Sequence, residues 1–155
     1  MEHTGVGLFA RYVERIDRWV QFGMVSGRVI KVDFLIDQPA DATSNHPLLD
    51  RIVAVLDGGE KDSFTDIEIA LTGPTDYRPI YATIRSIPFG ESQTVRDISA
   101  KSPNIEPDES GDQRVHQAIR DNPVPLLVPD HRVDDAPGRL DPPIRSVLRS
   151  IEGLD

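Results

Sequence analysis

The residues of this chain whose types could do chemistry stand together in the run from 122 to 132, Asn-Pro-Val-Pro-Leu-Leu-Val-Pro-Asp-His-Arg. Its reactive pair is Asp130 and His131. A carboxylate is ionised at neutral pH without help from a base, but it is a far weaker nucleophile than a thiolate. The chain contains no cysteine, so disulfides, thiolate metal sites and thiol catalysis are excluded.

Histidine is the other common metal ligand, and it occurs four times in the chain. The spacing of these histidines matches no common arrangement of metal ligands. We therefore expect ordinary surface or core histidines, with neither a metal nor a cofactor. The four residues are His3, His46, His116 and His131.

The chain is strongly acidic, with a formal net charge of -9 at pH 7. The acidic residues are spread along the sequence, which argues against an acidic tail, and no motif supports a mimic of an acidic partner. The composition is typical of a halophilic proteome, in which carboxylates keep a protein hydrated. The negative net charge excludes a protein that binds DNA nonspecifically through electrostatic attraction. At molar salt the Debye length is about 3 Å, so the same charge does not exclude DNA binding through shape and hydrogen bonds.

No apolar run has the length of a membrane span, and no segment resembles a secretory signal. At 155 residues the chain is long enough to bury a core as one domain or two small ones. We therefore expect a cytoplasmic monomer that has no contact with a membrane.

Periodicity predicts a small α/β half over residues 1–74. Alternating apolar residues flank Ser26-Gly27, which is typical of a β-hairpin. Apolar residues at helical spacing follow a polar loop, and alternation then returns. In order, the predicted elements are a hairpin over 20–34, a loop over 37–46, a helix over 48–56 and a strand over 64–71.

Residues 75–155 are predicted to be helical. Thr94 has the properties of an N-cap, and Asp97 stands three residues later, where a capping box is completed. Two consecutive short helices have helix-turn-helix character, which is a weak signal when taken from periodicity alone. The predicted helices cover 77–87, 94–100 and 111–120, and a last one begins near Asp141-Pro142.

The run from 122 to 133 resembles the active-site signature of the alkylguanine-DNA alkyltransferases, Asn-Pro-x-Pro-x-x-x-Pro-Cys-His-Arg-Val. Asp130 stands at the position of the alkyl-accepting cysteine. Residues 77–91 end in Ile-Pro-Phe-Gly-Glu, which is similar to a helix end of that family, and Ile151-Glu152-Gly153 resembles its C-terminal motif. The resemblance implies a ribonuclease-H-like α/β domain (1–74) followed by an all-α, winged-helix-like helix-turn-helix domain (75–155).

In that family a thiolate attacks the alkyl group on oxygen 6 of a guanine flipped out of the stack. By resemblance, His131 would be the base, Glu152 would orient it, and Asn122 would hydrogen-bond within the site. Without the thiol we expect no catalytic residue, and the three retained side chains would form a buried hydrogen-bond network that holds the fold. Arg132 also matches the signature and is counted with the DNA-binding residues, although its family role is mainly structural.

The resemblance predicts further DNA contacts, with departures from the family pattern. Thr94 and Val95 lie where the family has a phosphate-contacting tyrosine, and valine cannot hydrogen-bond a phosphate. Gln113 stands where the family inserts an arginine into the base stack, with Arg114 one residue away. The loop over 134–139 is several residues shorter than in the family and lacks the groups that line the alkyl pocket.

Three functions follow. The leading one is a non-catalytic, alkyltransferase-like protein that binds DNA with some preference for alkylated guanine and acts together with other repair proteins. The second is a helix-turn-helix regulatory or protein-interaction module without lesion recognition, favoured by Val95 and the short loop. The third is alkyl transfer to Asp130 as an ester, which the weak nucleophilicity of a carboxylate disfavours.

Overall fold

The computed structural model describes residues 6–154; His3 lies outside them. The chain forms two compact units, one ending at Ala70 and the other beginning at Leu71. Among the described residues, no helix is both long and apolar enough to cross a membrane. None of the described acidic residues and histidines group in a way that could hold a metal ion.

The first unit is built on an antiparallel sheet in the order β1-β2-β3. The predicted hairpin is confirmed, and its turn residues Ser26 and Gly27 have φ of 54° and 79°. Positive φ at both positions gives the turn a twist that matches the flanking strands. The strands are β1 (Gly7–Val13), β2 (Arg18–Val25) and β3 (Arg28–Leu35), and helix α1 (Pro47–Leu56) follows at the predicted place.

The prediction of a strand over 64–71 is wrong. Only Ile69 in this segment makes a sheet-like bridge, to Val29 at the edge of β3. The segment begins in a turn, because the Asp62 carboxylate accepts the backbone N–H of Phe64 and Phe64 is held at a φ of 55°. Strand β1, which no periodic pattern had indicated, occupies the other edge of the sheet.

The second unit is helical, as predicted. The capping box of the second helix is present in full, with the Thr94 hydroxyl accepting from the Asp97 N–H and the Asp97 carboxylate accepting from the Thr94 N–H. The backbone N–H groups of Thr94 and Asp97, which have no partner within the helix, are thereby both hydrogen-bonded, so the helix begins at Val95. The helices are α2 (Tyr77–Arg85), α3 (Val95–Lys101), α4 (Glu109–Arg120) and α5 (Pro142–Ile151).

Helix α4 is fixed in the second unit by its apolar side. Val115, Ala118 and Ile119 are all buried. Tyr81 donates its hydroxyl to the backbone oxygen of Ala118 at 2.6 Å. At the start of the helix, a Cβ on Gly111 would overlap the carbonyl oxygen of Glu106, so this close approach requires glycine. The opposite side of α4 is left facing outward.

Candidate functional site

The segment before Asp130 is held in shape by one buried amide. Asn122 accepts the backbone N–H of Val124 at 3.0 Å and donates from Nδ2 to the carbonyl oxygen of Val128 at 3.1 Å. These bonds satisfy backbone groups in a proline-rich stretch that forms no helix. They lead the chain into a short 3-10 turn, Asp130–Arg132, whose three side chains are all buried.

Asp130 is enclosed. Its side chain accepts a hydrogen bond from Asn122 Nδ2 at 3.1 Å, and the residue is 2% exposed. Gly138 lies directly against it, since a Cβ built on Gly138 would stand 3.2 Å from Asp130 Oδ2. Burial raises the pKa of Asp130 to about 6, against the opposing effects of the Asn122 bond and of Arg145 and Arg139.

His131 and Arg132 converge on one carboxylate. Glu152, at the end of α5, binds His131 Nε2 at 2.7 Å and accepts from Arg132 Nε at 2.8 Å. It also accepts the backbone N–H of Gly90 at 2.9 Å. Arg132 donates in addition to the carbonyl oxygen of Ile87. This carboxylate therefore links three parts of the second unit, which are the end of α5, the 3-10 turn Asp130–Arg132 and the segment after α2.

The charge state of this cluster follows from its bonds. Burial alone would raise the pKa of Glu152, but hydrogen bonds from His131 and Arg132 lower it to about 2. Burial lowers the pKa of His131, so the ring is neutral at pH 7 and donates its Nε2–H to the ionised carboxylate. Its Nδ1 is buried and has no hydrogen-bond partner among the described residues.

The loop over 134–139 is held in place by hydrogen bonds to residues that are distant in the sequence. Asp134 accepts from Arg149 at 3.0 Å and from the hydroxyl of Ser92 at 3.1 Å. Asp135 accepts the backbone N–H of Val95 at 2.8 Å, and Ala136 is buried. Gly138 of this loop lies against Asp130, so the loop helps to enclose that carboxylate.

Of the residues predicted to contact DNA, Val95 and Arg132 are placed elsewhere. Each is 2% exposed, so neither side chain can contact DNA in this structure. Val95 packs in the interior at the start of α3, and Arg132 is held by Glu152 and lies against the ring of Phe89. The hydroxyl of Thr94 is used by the capping box.

Arg114, one residue from the position of the inserted arginine, is held in an ion pair. Its guanidinium forms a two-point ion pair with Asp76 at 2.5 and 2.6 Å and lies 4.6 Å from the ring centroid of Tyr77. Gln113 is exposed. It lines a surface hollow on α4 together with His116, Gln117 and Arg120. Sequence reasoning missed these last three, although their spacing of three, four and seven residues from Gln113 was the available signal.

The sequence contains no thiol. The carboxylate of Asp130 is a weaker nucleophile than a thiolate, and Gly138 lies against it. His131 is committed to Glu152. The outer side of α4 carries the polar residues that line the surface hollow.

The second unit is similar to domains of known proteins. Residues 76–151 match the family described as 6-O-methylguanine DNA methyltransferase, DNA binding domain. A probable methylated-DNA–protein-cysteine methyltransferase of Acanthamoeba polyphaga mimivirus is 35% identical over 75 residues, 48% of each chain. The corresponding enzyme of Methanosarcina acetivorans is 32% identical over 82 residues, 53% of this chain and 49% of that one. The chain thus spans about half the length of these two relatives.

The fold is also that of a solved structure. The crystal structure of Mycobacterium tuberculosis OGT in complex with DNA superposes with a TM-score of 0.70 at 18% identity, covering 94% of this chain and 91% of that one. At this identity the likeness shows the alkyltransferase fold, here with a small antiparallel sheet and helices. The second unit is thus similar to the DNA-binding domain of the O6-methylguanine DNA methyltransferase family, and the chain as a whole has the alkyltransferase fold.

Proposed function

We propose that this chain is a DNA-binding member of the family that does not transfer alkyl groups. The observation that carries the proposal is Asp130, which replaces the acceptor thiol and is buried beneath Gly138. The reaction needs a nucleophile that can reach a flipped-out base. A carboxylate that is both weak and covered meets neither requirement.

DNA binding is supported by the family match over residues 76–151 and by the DNA in the complex of the structural neighbour. We propose that α3 and α4 act as a helix-turn-helix pair in a winged-helix-like domain. In the sequence, this domain follows a ribonuclease-H-like first domain. We also propose that the protein is a monomer in the cytoplasm of a halophile. The acidic composition suits such a cytoplasm, where screening leaves shape and hydrogen bonds to determine affinity.

In molar KCl we expect the protein to bind duplex DNA with little preference for O6-methylguanine. Since loop 134–139 covers Asp130, a flipped guanine finds no open pocket, and duplexes with and without the lesion should differ by less than about threefold in affinity, which is under 1 kcal/mol. Fluorescence anisotropy titrations of the two duplexes measure this directly. Arg120→Gln should weaken binding, and Arg28→Gln, an equal change of charge in the first unit, serves as the control.

Two results would contradict the proposal in different ways. A lesion duplex bound about tenfold more tightly would mean that the loop opens and that alkylated guanine is recognised. No binding to either duplex would remove the DNA claim itself.

We expect no covalent alkyl adduct. If Asp130 did accept a methyl group as an ester, intact-protein mass spectrometry after incubation with O6-methylguanine duplex would show a mass increase of one methylene, about 14 Da, absent from Asp130→Asn. The expected mass is unchanged, and the DNA should keep its methyl group. An adduct in the wild-type protein, or demethylated DNA with turnover, would show that the carboxylate is reactive.

A further inference from the structure

Residues 136–140, here called the lid segment, join two fixed parts of the second unit. Before the segment, the side chains of Asp134 and Asp135 are hydrogen-bonded to α5 and to the start of α3. After it, helix α5 begins. Within residues 6–154, no backbone hydrogen bond holds the lid segment itself. Packing holds it instead, with Ala136 buried, so this segment can move at a lower cost than the parts on either side of it.

The lid segment lies directly against the carboxylate of Asp130. A Cβ built on Gly138 would stand 3.2 Å from Asp130 Oδ2 and 3.2 Å from Ile119 Cγ2, so the glycine backbone fills the space between these two side chains. Asp130 is 2% exposed. Water that is to reach this oxygen from the side of the loop must therefore displace Gly138.

Asp130 has few partners for an ionised group. A carboxylate offers about four acceptor positions, but within residues 6–154 the side chain of Asp130 accepts one hydrogen bond, from Asn122 Nδ2. Arg139 and Arg145 act on it through their charge, and neither forms an ion pair with it. A neutral carboxyl needs fewer partners than a carboxylate. The closed arrangement therefore suits the protonated form and leaves the ionised form poorly solvated.

The other titratable groups around Asp130 do not compensate its charge. Tyr81, on α2, already donates its hydroxyl to the backbone oxygen of Ala118, and burial raises the pKa of Tyr81, so it is neutral. His131, the next residue of the turn, is bound to Glu152, and burial lowers the pKa of this ring. Both groups are fixed by bonds of their own, so the lid segment is the part that can move to admit water.

We propose that a proton on Asp130 controls the lid segment, which stays closed while the carboxyl is neutral and opens when the carboxyl ionises. Movement of Gly138 away from Asp130 lets water hydrate the charge, so ionisation and opening favour each other. The structure shows the closed state, and the proton sets how often the segment leaves it. This device does not depend on DNA binding, so its failure and that of the proposed function are distinguishable.

The expected size of the effect follows from the pKa of Asp130. Burial raises this pKa from 3.8 to about 6, whereas a hydrated carboxylate in the open state has the ordinary value. Because the closed-state pKa is the higher one, protonation favours closure, and opening increases as the pH rises through 6 and then levels off. Opening should be about tenfold more frequent at pH 8 than at pH 5. With Asp130→Asn it should not depend on pH, and at pH 8 it should be about a hundredfold rarer.

A single introduced thiol can report opening, because the chain contains no cysteine. Ala136→Cys places this thiol in the lid segment, at a residue that is 1% exposed. The rate of its labelling by a methanethiosulfonate reagent is divided by the rate for the urea-unfolded protein at the same pH. We expect this ratio to rise about tenfold from pH 5 to pH 8 with Asp130 and to stay constant with Asp130→Asn. A ratio that is independent of pH with Asp130 present would overturn the proposal.

Ala118→Cys is the matched control, since Ala118 is also buried but lies on α4, outside the lid segment. Its labelling reports unfolding of the whole second unit. We expect it to be at least about tenfold slower than labelling of Ala136→Cys at pH 8. Equal rates for the two thiols, with the same pH dependence, would mean that only unfolding of the unit exposes this region, and no lid would remain.

Trypsin provides a second measurement that needs no substitution in the lid segment. Cleavage after Arg139 at pH 8, identified by mass spectrometry, should be at least about tenfold slower in Asp130→Asn than in the wild type. Cleavage after Lys61, an exposed residue of the first unit, should be the same in both proteins. Equally fast cleavage after Arg139 in the two proteins would show that ionisation of Asp130 does not open the segment.

Discussion

Replacing Glu152 by glutamine should lower the free energy of unfolding of the second unit by about 3–5 kcal/mol. The change keeps the size of the side chain but removes the anion that Arg132 and His131 share. Arg132 and His131 would then share a neutral amide, which has one acceptor oxygen in place of two, so one of these two side chains would face the amide N–H groups instead of an acceptor. Breaking such a pair from one side costs far more than the pair contributes net.

The pKa of Glu152 gives an independent measure of this effect. Its fall from 4.5 to about 2 corresponds to about 3 kcal/mol of preference for the ionised form in the folded protein. Because the folded pKa is the lower one, this stability is present above the unfolded pKa and is lost as the pH falls towards 2. The difference between wild type and Glu152→Gln should therefore be full at pH 7 and shrink below about pH 4.5.

Urea titrations at constant KCl, followed by helical circular dichroism, measure this change. Glu91→Gln is the matched control, because Glu91 is exposed and should change stability by less than about 0.5 kcal/mol. Trp19 lies in the first unit, so its fluorescence reports on that unit in the same samples. A loss below about 1 kcal/mol for Glu152→Gln at pH 7 would show that the carboxylate does not hold the segments together.

Asp130→Asn should stabilise the second unit at pH 7 by about 3 kcal/mol. Folding buries this carboxylate and raises its pKa from 3.8 to about 6, so the ionised form is disfavoured in the folded protein. Asparagine has the same shape, carries no charge and can still accept from Asn122 Nδ2, whose distance to the carboxylate is 3.1 Å. A gain of this size raises the melting temperature by about 6–12 °C in a protein of this length.

The pH dependence separates this explanation from better packing. The folded pKa of Asp130 is the raised one, so the stability that its protonation contributes is complete below about pH 4 and is lost as the pH rises through 6. The advantage of Asp130→Asn should therefore be near zero at pH 4, grow between pH 4 and 6, and be constant above that. Burial lowers the pKa of His131, but this residue is present in both proteins, so its contribution cancels in the difference.

Denaturation of both proteins at a series of pH values tests the prediction. An advantage of Asp130→Asn that is the same at pH 4 and pH 7 would mean that burial does not penalise this charge. A destabilised variant would mean that the ionised carboxylate is needed by the fold. Either result would also weaken the view of Asp130 as a residue enclosed by loop 134–139.

The sequence predicted elements well where the signal was local. The capping box of Thr94 and Asp97 lies within four residues, and the apolar row of α4 repeats within one helix, so both could be recognised from spacing. The prediction of a strand over 64–71 was wrong because an alternating pattern does not show whether a neighbouring strand is available for pairing. Its edge of the sheet offers only the bridge from Ile69 to Val29, and the turn at Phe64 depends on the carboxylate of Asp62.

The candidate site was predicted in part. The signature and the motif at Glu152 located Asn122, His131 and Glu152 by resemblance, and the structure places all three in hydrogen bonds with Asp130, Arg132 or each other. The pattern did not show that Val95 and Arg132 are buried. Residue type fixes what a side chain can bind, but burial depends on segments that are distant in the chain.

The sequence alone determined the chemistry that this protein lacks. Without cysteine no thiolate can form, and a carboxylate such as that of Asp130 is a weaker nucleophile, whatever the fold. Only the tertiary structure decided that Asp130 is enclosed. Its surroundings depend on Gly138 lying against Asp130 and on Asp134 and Asp135 bonding to Arg149 and Val95. The Asp134 and Asp135 bonds join residues 15 and 40 positions apart, so neither pairing can be read from local spacing.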